Sequence, residues 1–330
     1  MFPLFLAFAL AHCATGAVGQ PAYSPNDSGL AIELPTLPLY PKDGNIPAAL
    51  QDRFVFLDQH TNQFIVAFEP IQGSKARTIT QRTSPATGVC PSLTAAFKKN
   101  ETGAIDYEYQ AANLAGARQE LWTWVLPLAF REPARITRVP LGWYGAEANP
   151  NESIQAGAFE AMTYSLSKDR IQQLRNSMIR RKVDWFARSV EGIPPSQARG
   201  PYRITSKALP GIVTAYFQGS AIFSANSSWP PEVLGQVLTL SWTENNSVSL
   251  LTLGPKFDPG VKRSAIAKDY FTVIDRALKQ KRLRPSAFLA EAMKQLSEGA
   301  INGGIHPASQ PSTPLERQIL SGLELSLSQH

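Results

Sequence analysis

Cysteine is almost absent from this sequence, and its scarcity excludes a fold built on a framework of disulfides. The chain has 330 residues and two cysteines, Cys13 and Cys90. Secreted domains with too little apolar core depend on several disulfides, so this chain must be stabilised mainly by the burial of apolar surface. Its composition permits this, because 43% of the residues are hydrophobic. We therefore expect a globular body with a sizeable core.

Histidine is also scarce, and the sequence predicts no metal site. The four histidines are His12, His60, His306 and His330. None is spaced with another histidine, cysteine or carboxylate in the way that metal ligands are. The sequence also lacks the Gly-x-Ser-x-Gly turn that presents the nucleophile of many serine hydrolases. We therefore expect no transition-metal site, and we name no cofactor. Calcium held by scattered carboxylates and carbonyls stays open as an alternative, although no EF-hand loop is present in the sequence.

No hydrophobic run is long enough to span a bilayer, so no transmembrane segment is expected. The N-terminal apolar run is only about ten residues long, which is the length of a signal-peptide core. Small residues follow it, and Ala17-Val18-Gly19 fits the small-x-small rule for signal peptidase. We expect residues 1–19 to be a signal peptide and the mature protein to be secreted or periplasmic. Cleavage after Gly19 would remove Cys13 and leave Cys90 without an intramolecular partner.

Acidic residues are outnumbered by basic ones, with 26 Asp and Glu against 32 Lys and Arg. The resulting net charge of +6 predicts affinity for anionic surfaces. For an exported protein these are an anionic polysaccharide, the cell envelope or phospholipid headgroups, and nucleic acid is not expected. The most basic segment is residues 168–190, and its candidate ligand-binding cations are Arg175, Arg180, Arg181 and Lys182. A solvated helix face is the competing interpretation of this segment.

Short runs of alternating apolar and polar residues, separated by turns, predict a mainly β protein with an immunoglobulin-like sandwich. Ile105, Tyr107 and Tyr109, for example, alternate with polar residues. Helical spacing appears in one inserted segment and again near the C-terminus. The predicted organisation is a signal peptide (1–19), a Pro-rich extended segment (20–50), a β-sandwich (51–258) with a helix at 167–190, an α-helical hairpin (259–300) and a tail (301–330).

Tryptophan is the candidate for stacking on a sugar ring, because its indole face is large and apolar. Trp122 and Trp124 are two residues apart in a predicted strand, so both are expected on one buried face. Trp229 lies in a Ser- and Pro-rich stretch that is typical of a loop. We therefore expect Trp229 to be exposed and name it as a candidate ligand-binding residue.

Three stretches of the chain combine turn residues with aromatic residues. They are Tyr107-Glu108-Tyr109 with Asn113 and Trp122-Thr123-Trp124; Pro140-Leu141-Gly142-Trp143; and Gly200-Pro201-Tyr202 with Ala208-Leu209-Pro210-Gly211-Ile212. Together they resemble exported, uncharacterised bacterial proteins with an immunoglobulin-like sandwich and a trailing helical hairpin. The resemblance implies a fold and an export route, and it carries no catalytic residue.

Because no catalytic or metal-binding constellation stands out, the leading hypothesis is an exported, non-enzymatic binding or interaction module of unknown ligand. It would dock on an anionic polysaccharide or envelope surface. The alternative is a glycan-active hydrolase that draws its carboxylates from separate strands. Asp106 and Glu108 share one strand face, where acids are usually solvated. Two carboxyl groups about 5–10 Å apart in a pocket would favour the hydrolase, and dispersed acids would favour the binding module.

Overall fold

The computed structural model describes residues 37–69, 77–127, 134–148, 182–187, 192–219, 246–298 and 305–328, together with 229, 230, 232, 233, 236 and 237. Its strands are β1 (Val55–Asp58), β2 (Gln63–Phe68), β3 (Thr78–Thr83), β4 (Pro91–Lys99), β5 (Ile105–Asn113), β6 (Leu121–Pro127), β7 (Arg135–Arg138), β8 (Trp143–Ala148), β9 (Lys182–Ala187), β10 (Gln197–Ser206), β11 (Leu209–Gly219) and β12 (Val248–Phe257). Its helices are α1 (Arg263–Lys279), α2 (Ala287–Ser297) and α3 (Pro314–Ser328), and a 3-10 turn spans Ala48–Leu50. The predicted signal peptide lies outside these residues.

Two antiparallel sheets form a sandwich. The four-stranded sheet has the order β4-β5-β10-β7, and the five-stranded sheet has the order β12-β11-β6-β9-β8. Alternate residues of β5 and β10 are buried against the other sheet, as the alternation of their sequences predicts. The prediction of a mainly β sandwich is confirmed.

An aromatic cluster fills the space between the two sheets. The indole of Trp124, in β6, stacks on the ring of Phe217, in β11, with 5.9 Å between ring centroids. Trp124 also meets Tyr109 and Tyr202 of the four-stranded sheet edge to face, at 5.6 and 5.1 Å. Trp143 packs edge to face on Tyr202 at 5.3 Å. Each such pair adds about 0.5–1.5 kcal/mol to the gain from burial, so this cluster ties the sheets together.

Trp122 does not share the buried face of Trp124, contrary to the expectation from their spacing. Thr123 pairs with Gln218, but Leu121 pairs with the next residue, Gly219, so Trp122 is the extra residue of a β-bulge. The bulge shifts the alternation by one position. Leu121 and Trp124 are therefore both buried, while Trp122 is only half-buried.

A separate three-stranded antiparallel sheet, in the order β1-β2-β3, precedes the sandwich. Strands β1 and β2 form a hairpin, with Asp58 opposite Gln63 at its turn. Both faces of β1 and β2 are covered, one by a cluster that includes Val66 and Trp229 and the other by a cluster that includes Phe56 and Ile65, while β3 is largely exposed. From the Pro-rich segment, Leu39 adds a parallel bridge to Leu57.

The C-terminal helices form a layer against the sandwich. The predicted hairpin is present as α1 and α2, and Ser286 caps α2 by accepting a hydrogen bond from the Leu289 amide at 3.1 Å. The segment expected to be a tail contains α3, which contacts β4, β11 and β12. Thr313 and Glu316 form a capping box at the start of α3. Among the described residues, no helix is long and apolar enough to cross a membrane.

The helix predicted over residues 167–190 is wrong for Lys182–Ala187, which form strand β9. This strand pairs with β6 on one side and β8 on the other. If these residues were helical, the backbone groups of β6 and β8 that face β9 would have no partner. As a strand, β9 satisfies the hydrogen-bonding groups of both neighbours. Residues 167–181 lie outside the described residues.

Cys90 is buried and disulfide-bonded in the structure. Its amide donates to Oδ1 of Asn113 at 3.0 Å, which fixes the entry into β4. The expectation of an unpartnered Cys90 concerned the chain after removal of residues 1–19. The chain has one other cysteine, Cys13, which lies outside the described residues.

Candidate functional site

The structure does not support the exposure predicted for Trp229. Trp229 is only 9% exposed. Its indole packs edge to face on Phe68 at 6.2 Å, within the cluster that covers one face of β2. The loop-like sequence gave no sign that this cluster would cover the ring. An indole covered in this way offers no free face to a sugar.

The predicted basic residues are not brought together as a described surface. Arg175, Arg180 and Arg181 lie outside the described residues. Lys182 is the first residue of β9, where its backbone pairs with Pro127 and Ala148.

Basic side chains gather instead on the outer face of the four-stranded sheet. Tyr202, Ile204 and Ser206 of β10 are buried, so the intervening Arg203 and Thr205 face outward. On one side, Arg203 lies opposite Glu108 and Thr205 opposite Asp106. On the other side, Arg203 lies opposite Arg138 and Thr205 opposite Arg135. On β4, Lys98 lies opposite Asp106. This surface is called the basic face below, and its residues are Lys98, Asp106, Glu108, Arg135, Arg138, Arg203 and Thr205.

A second β-bulge places two of these arginines on the same side of the sheet. Arg135 and Arg138 are three residues apart, and in a regular strand they would point to opposite faces. Arg203 pairs with Arg138, but the next residue, Ile204, pairs with Ile136, so Thr137 is the extra residue. Both arginines are therefore outward, and Ile136 packs against the core. Nothing in the sequence signals this bulge, because it depends on pairing with β10.

The acids of the basic face accept hydrogen bonds from side chains of β10 and of the loop after β4. Glu108 accepts hydrogen bonds from the guanidinium of Arg203, one of them from Nε at 3.1 Å. This bond and the charge of Glu108 raise the pKa of Arg203, which stays cationic. Asp106 accepts a hydrogen bond from Oγ1 of Thr205 at 2.5 Å and one from Nδ2 of Asn100 at 3.2 Å.

Among the described residues, the remaining cations of the basic face form no ion pair with an acid. Lys98, Arg135 and Arg138 are exposed. Within the part of the chain that the structure describes, none of these three side chains forms an ion pair. Counting four cations against two acids, the face carries a net charge of +2. Such a face can bind an anion in the bidentate geometry that guanidinium groups favour.

A second charged cluster lies in the core, and the sequence did not reveal it. Lys256, in β12, donates from Nζ to Oδ2 of Asp269 in α1 at 2.5 Å and to the Ile212 carbonyl at 3.0 Å. Its side chain is 4% exposed. Burial lowers the pKa of Lys256, although the charge of Asp269 opposes that shift. The ion pair between Lys256 and Asp269 links α1 of the helical layer to β12 of the five-stranded sheet. A lysine inside the apolar run of β12 was the signal that could have indicated it.

Converging metal ligands are not found among the described residues, where no three histidine, cysteine or acidic side chains come together. Asp106 and Glu108, the acids considered for glycoside hydrolysis, lie on an open sheet face in contacts across strands. The basic face presents the guanidinium of Arg203, which Glu108 orients, beside the exposed side chains of Arg135 and Arg138. Such an arrangement can contact an anionic group.

Comparisons with known proteins add little to this description. No family model and no curated protein matches the chain. Among solved structures, the chain is similar to an uncharacterised protein from Nocardia farcinica that is described as having an immunoglobulin-like fold. The two are 15% identical, the match covers 42% of this chain and 91% of that chain, and the TM-score is 0.24. This neighbour is of the kind that the sequence resemblance anticipated, but a likeness of this size gives no support to a function.

Proposed function

We propose that this protein is an exported, non-enzymatic binding module that docks through the basic face on an anionic surface, either an acidic polysaccharide or the cell envelope. The observation that carries the proposal is that Arg138 and Arg203 lie directly opposite each other on adjacent strands. Like charges in this position destabilise a sheet. An anion shared by the two guanidinium groups would remove that cost, so the arrangement suits a surface that binds anions.

The geometry of Arg203 supports the same proposal. Glu108 holds the guanidinium of Arg203 in one orientation. The side-chain entropy of Arg203 is therefore already reduced before a ligand binds, so binding loses less of it. Arg138 and Arg135 then extend the charge along the edge strand β7, where no further described strand covers them. A polymer with repeated acidic groups could contact these arginines in succession.

The expected export route limits the choice of partner. If residues 1–19 direct secretion, the basic face meets polysaccharide and envelope rather than nucleic acid. The non-enzymatic part of the proposal rests on Asp106 and Glu108, because both are occupied by neighbours on the sheet. A glycosidase needs one acid that donates a proton and a second that acts as nucleophile or base.

The test is the affinity of the full chain for dextran sulfate, measured by calorimetry at several salt concentrations. Replacing both edge arginines, in Arg135→Gln with Arg138→Gln, should weaken binding by about tenfold or more, since each charge-assisted contact contributes on the order of 1 kcal/mol. The affinity of the unaltered chain should fall as salt rises, because exposed charges are screened.

The matched control is Arg284→Gln with Arg317→Gln, which removes the same net charge from exposed positions in the helical layer. We expect this control to bind dextran sulfate nearly as well as the unaltered chain. Equal losses in the two double variants would show that only net charge matters and would contradict docking through the basic face. Binding that does not depend on salt would contradict it as well.

A further inference from the structure

A leucine beside the basic face is almost completely exposed. Leu141 is 92% exposed, against 47% for Leu39, another exposed leucine. It occupies the second position of a turn closed by a hydrogen bond from the Trp143 amide to the Pro140 carbonyl at 3.1 Å. Gly142 has a φ of +82°, which this type of turn requires at its third position. The turn therefore presents the leucine side chain to solvent.

The exposure of Leu141 does not come from a loose segment. Trp143, at the end of the turn, is buried and packs on Tyr202 in the sandwich core. On the other side of the turn, Val139 packs against the core. The turn is held at both ends, so an apolar side chain stands at a fixed place on the surface. No described contact explains a leucine at this position.

Leu141 lies close to Arg138, one of the cations of the basic face that form no ion pair with a described residue. Only two residues separate it from Arg138, so their Cα atoms are at most about 11 Å apart. Arg135 lies on the same outward face of β7 as Arg138. A phospholipid surface has a layer of anionic headgroups over a layer of acyl chains. The two exposed guanidinium groups suit the headgroups, and the apolar side chain of Leu141 suits the acyl chains. A hydrated polysaccharide has no comparable apolar layer for the leucine.

We infer that the turn Pro140–Trp143 inserts Leu141 into an anionic phospholipid leaflet, while Arg135 and Arg138 contact the headgroup phosphates. This inference rests on the proposed function and names the class of surface that the basic face meets. Insertion removes the leucine side chain from water, and the arginines supply attraction to negative lipid. Both contributions are modest, so the binding is reversible and depends on salt.

The experiment is co-sedimentation of the full chain with vesicles of mixed phosphatidylcholine and phosphatidylglycerol, and with vesicles of phosphatidylcholine alone. Leu141→Gln should lower partitioning into the mixed vesicles by about tenfold or more. This fold-change corresponds to the free energy gained when one leucine side chain is buried. Leu39→Gln is the matched control and should leave partitioning unchanged. Any N-terminal leader is common to every variant, so the difference between variants reports the turn.

The binding of each variant to dextran sulfate separates this inference from the proposed function. We expect Leu141→Gln to bind dextran sulfate like the unaltered chain, because a soluble polyanion needs only the arginines. Partitioning of Leu141→Gln equal to that of the unaltered chain would overturn the inference. If the chain binds dextran sulfate through Arg135 and Arg138 but not mixed vesicles, the inference fails and the proposed function stands. If it binds neither, both fail.

Discussion

Replacing Asp269 by asparagine removes the only carboxylate that contacts the buried Lys256 among the described residues. The Asp269 side chain is 16% exposed and that of Lys256 only 4%, so the ammonium group cannot reach water as easily as its partner. Asparagine has nearly the same shape as aspartate, and the Ile212 carbonyl still accepts from Nζ. The substitution therefore isolates one effect, the loss of a compensating charge in the core.

The expected cost is about 3–5 kcal/mol, the usual result of leaving one member of a buried ion pair without its partner. This is a large share of the roughly 5–15 kcal/mol that stabilises a typical domain. We expect Asp269→Asn to lower the midpoint of guanidinium unfolding, followed by tryptophan fluorescence. Asp275→Asn is the control on the same helix, because Asp275 forms an exposed ion pair with Lys279 at 2.7 Å. Exposed pairs of this kind contribute about 0.3–0.5 kcal/mol.

The loss should also depend on pH with a definite sign. Burial lowers the pKa of Lys256 even with Asp269 present, and removal of the carboxylate lowers it further. Between that lowered pKa and the ordinary value of 10.5, the folded state has released a proton that the unfolded state keeps. The free energy of unfolding contributed by this group therefore rises with pH across that interval. Asp269→Asn should regain part of its lost stability as pH rises from neutral to about 9.

Two results would refute this account of Lys256. One is a loss in Asp269→Asn no larger than that in Asp275→Asn. The other is a loss that stays constant across the alkaline range. If Asp269→Asn does not fold, the double variant with Lys256→Met should recover the fold, because it removes the buried charge as well. Failure of that double variant to recover would equally contradict the account.

Two further predictions concern the helical layer. Gly322→Ala should lower the free energy of unfolding by about 1–3 kcal/mol, because the new Cβ would lie 2.8 Å from Oη of Tyr270 and 2.9 Å from Cδ1 of Leu253. The control Ser321→Ala, on the exposed side of α3, should leave thermal unfolding unchanged. Glu316→Gln should cost about 1–3 kcal/mol at neutral pH. Burial would raise the pKa of Glu316, but donors such as Ser312 outweigh it and hold the pKa below the ordinary 4.5, so its stabilisation is lost as pH falls through the folded pKa. The difference from Gln should narrow on acidification, and a difference independent of pH would contradict this.

Local sequence patterns were sufficient to predict those strands and helices whose periodicity is not altered by the elements that pack against them. The alternation around Tyr107 and Tyr109 predicted a half-buried strand, and β5 has that pattern. The helical spacing after residue 263 predicted the hairpin of α1 and α2, because an amphipathic helix carries its signal within its own residues. These features could be predicted without knowing which strand pairs with which.

Features that depend on pairing between distant strands could not be predicted in this way. The bulges at Trp122 and Thr137 exist only in relation to β11 and β10. Residues 182–187 fit helical spacing, yet their position between β6 and β8 decided the outcome in favour of a strand. The basic face follows from the Thr137 bulge, so the sequence alone could not predict it. The segment that was predicted to bind anions lies largely outside the described residues and stays a prediction.

The central claim is that anionic ligands bind at the basic face, and arginine footprinting tests it most directly. The full chain is treated with phenylglyoxal, which modifies accessible guanidinium groups, with and without dextran sulfate, and modified peptides are quantified by mass spectrometry. We expect dextran sulfate to protect Arg135 and Arg138, while Arg284 and Arg317 react at the same rate in both samples. Unchanged modification of Arg135 and Arg138, with protection confined to Arg175, Arg180 and Arg181, would contradict it.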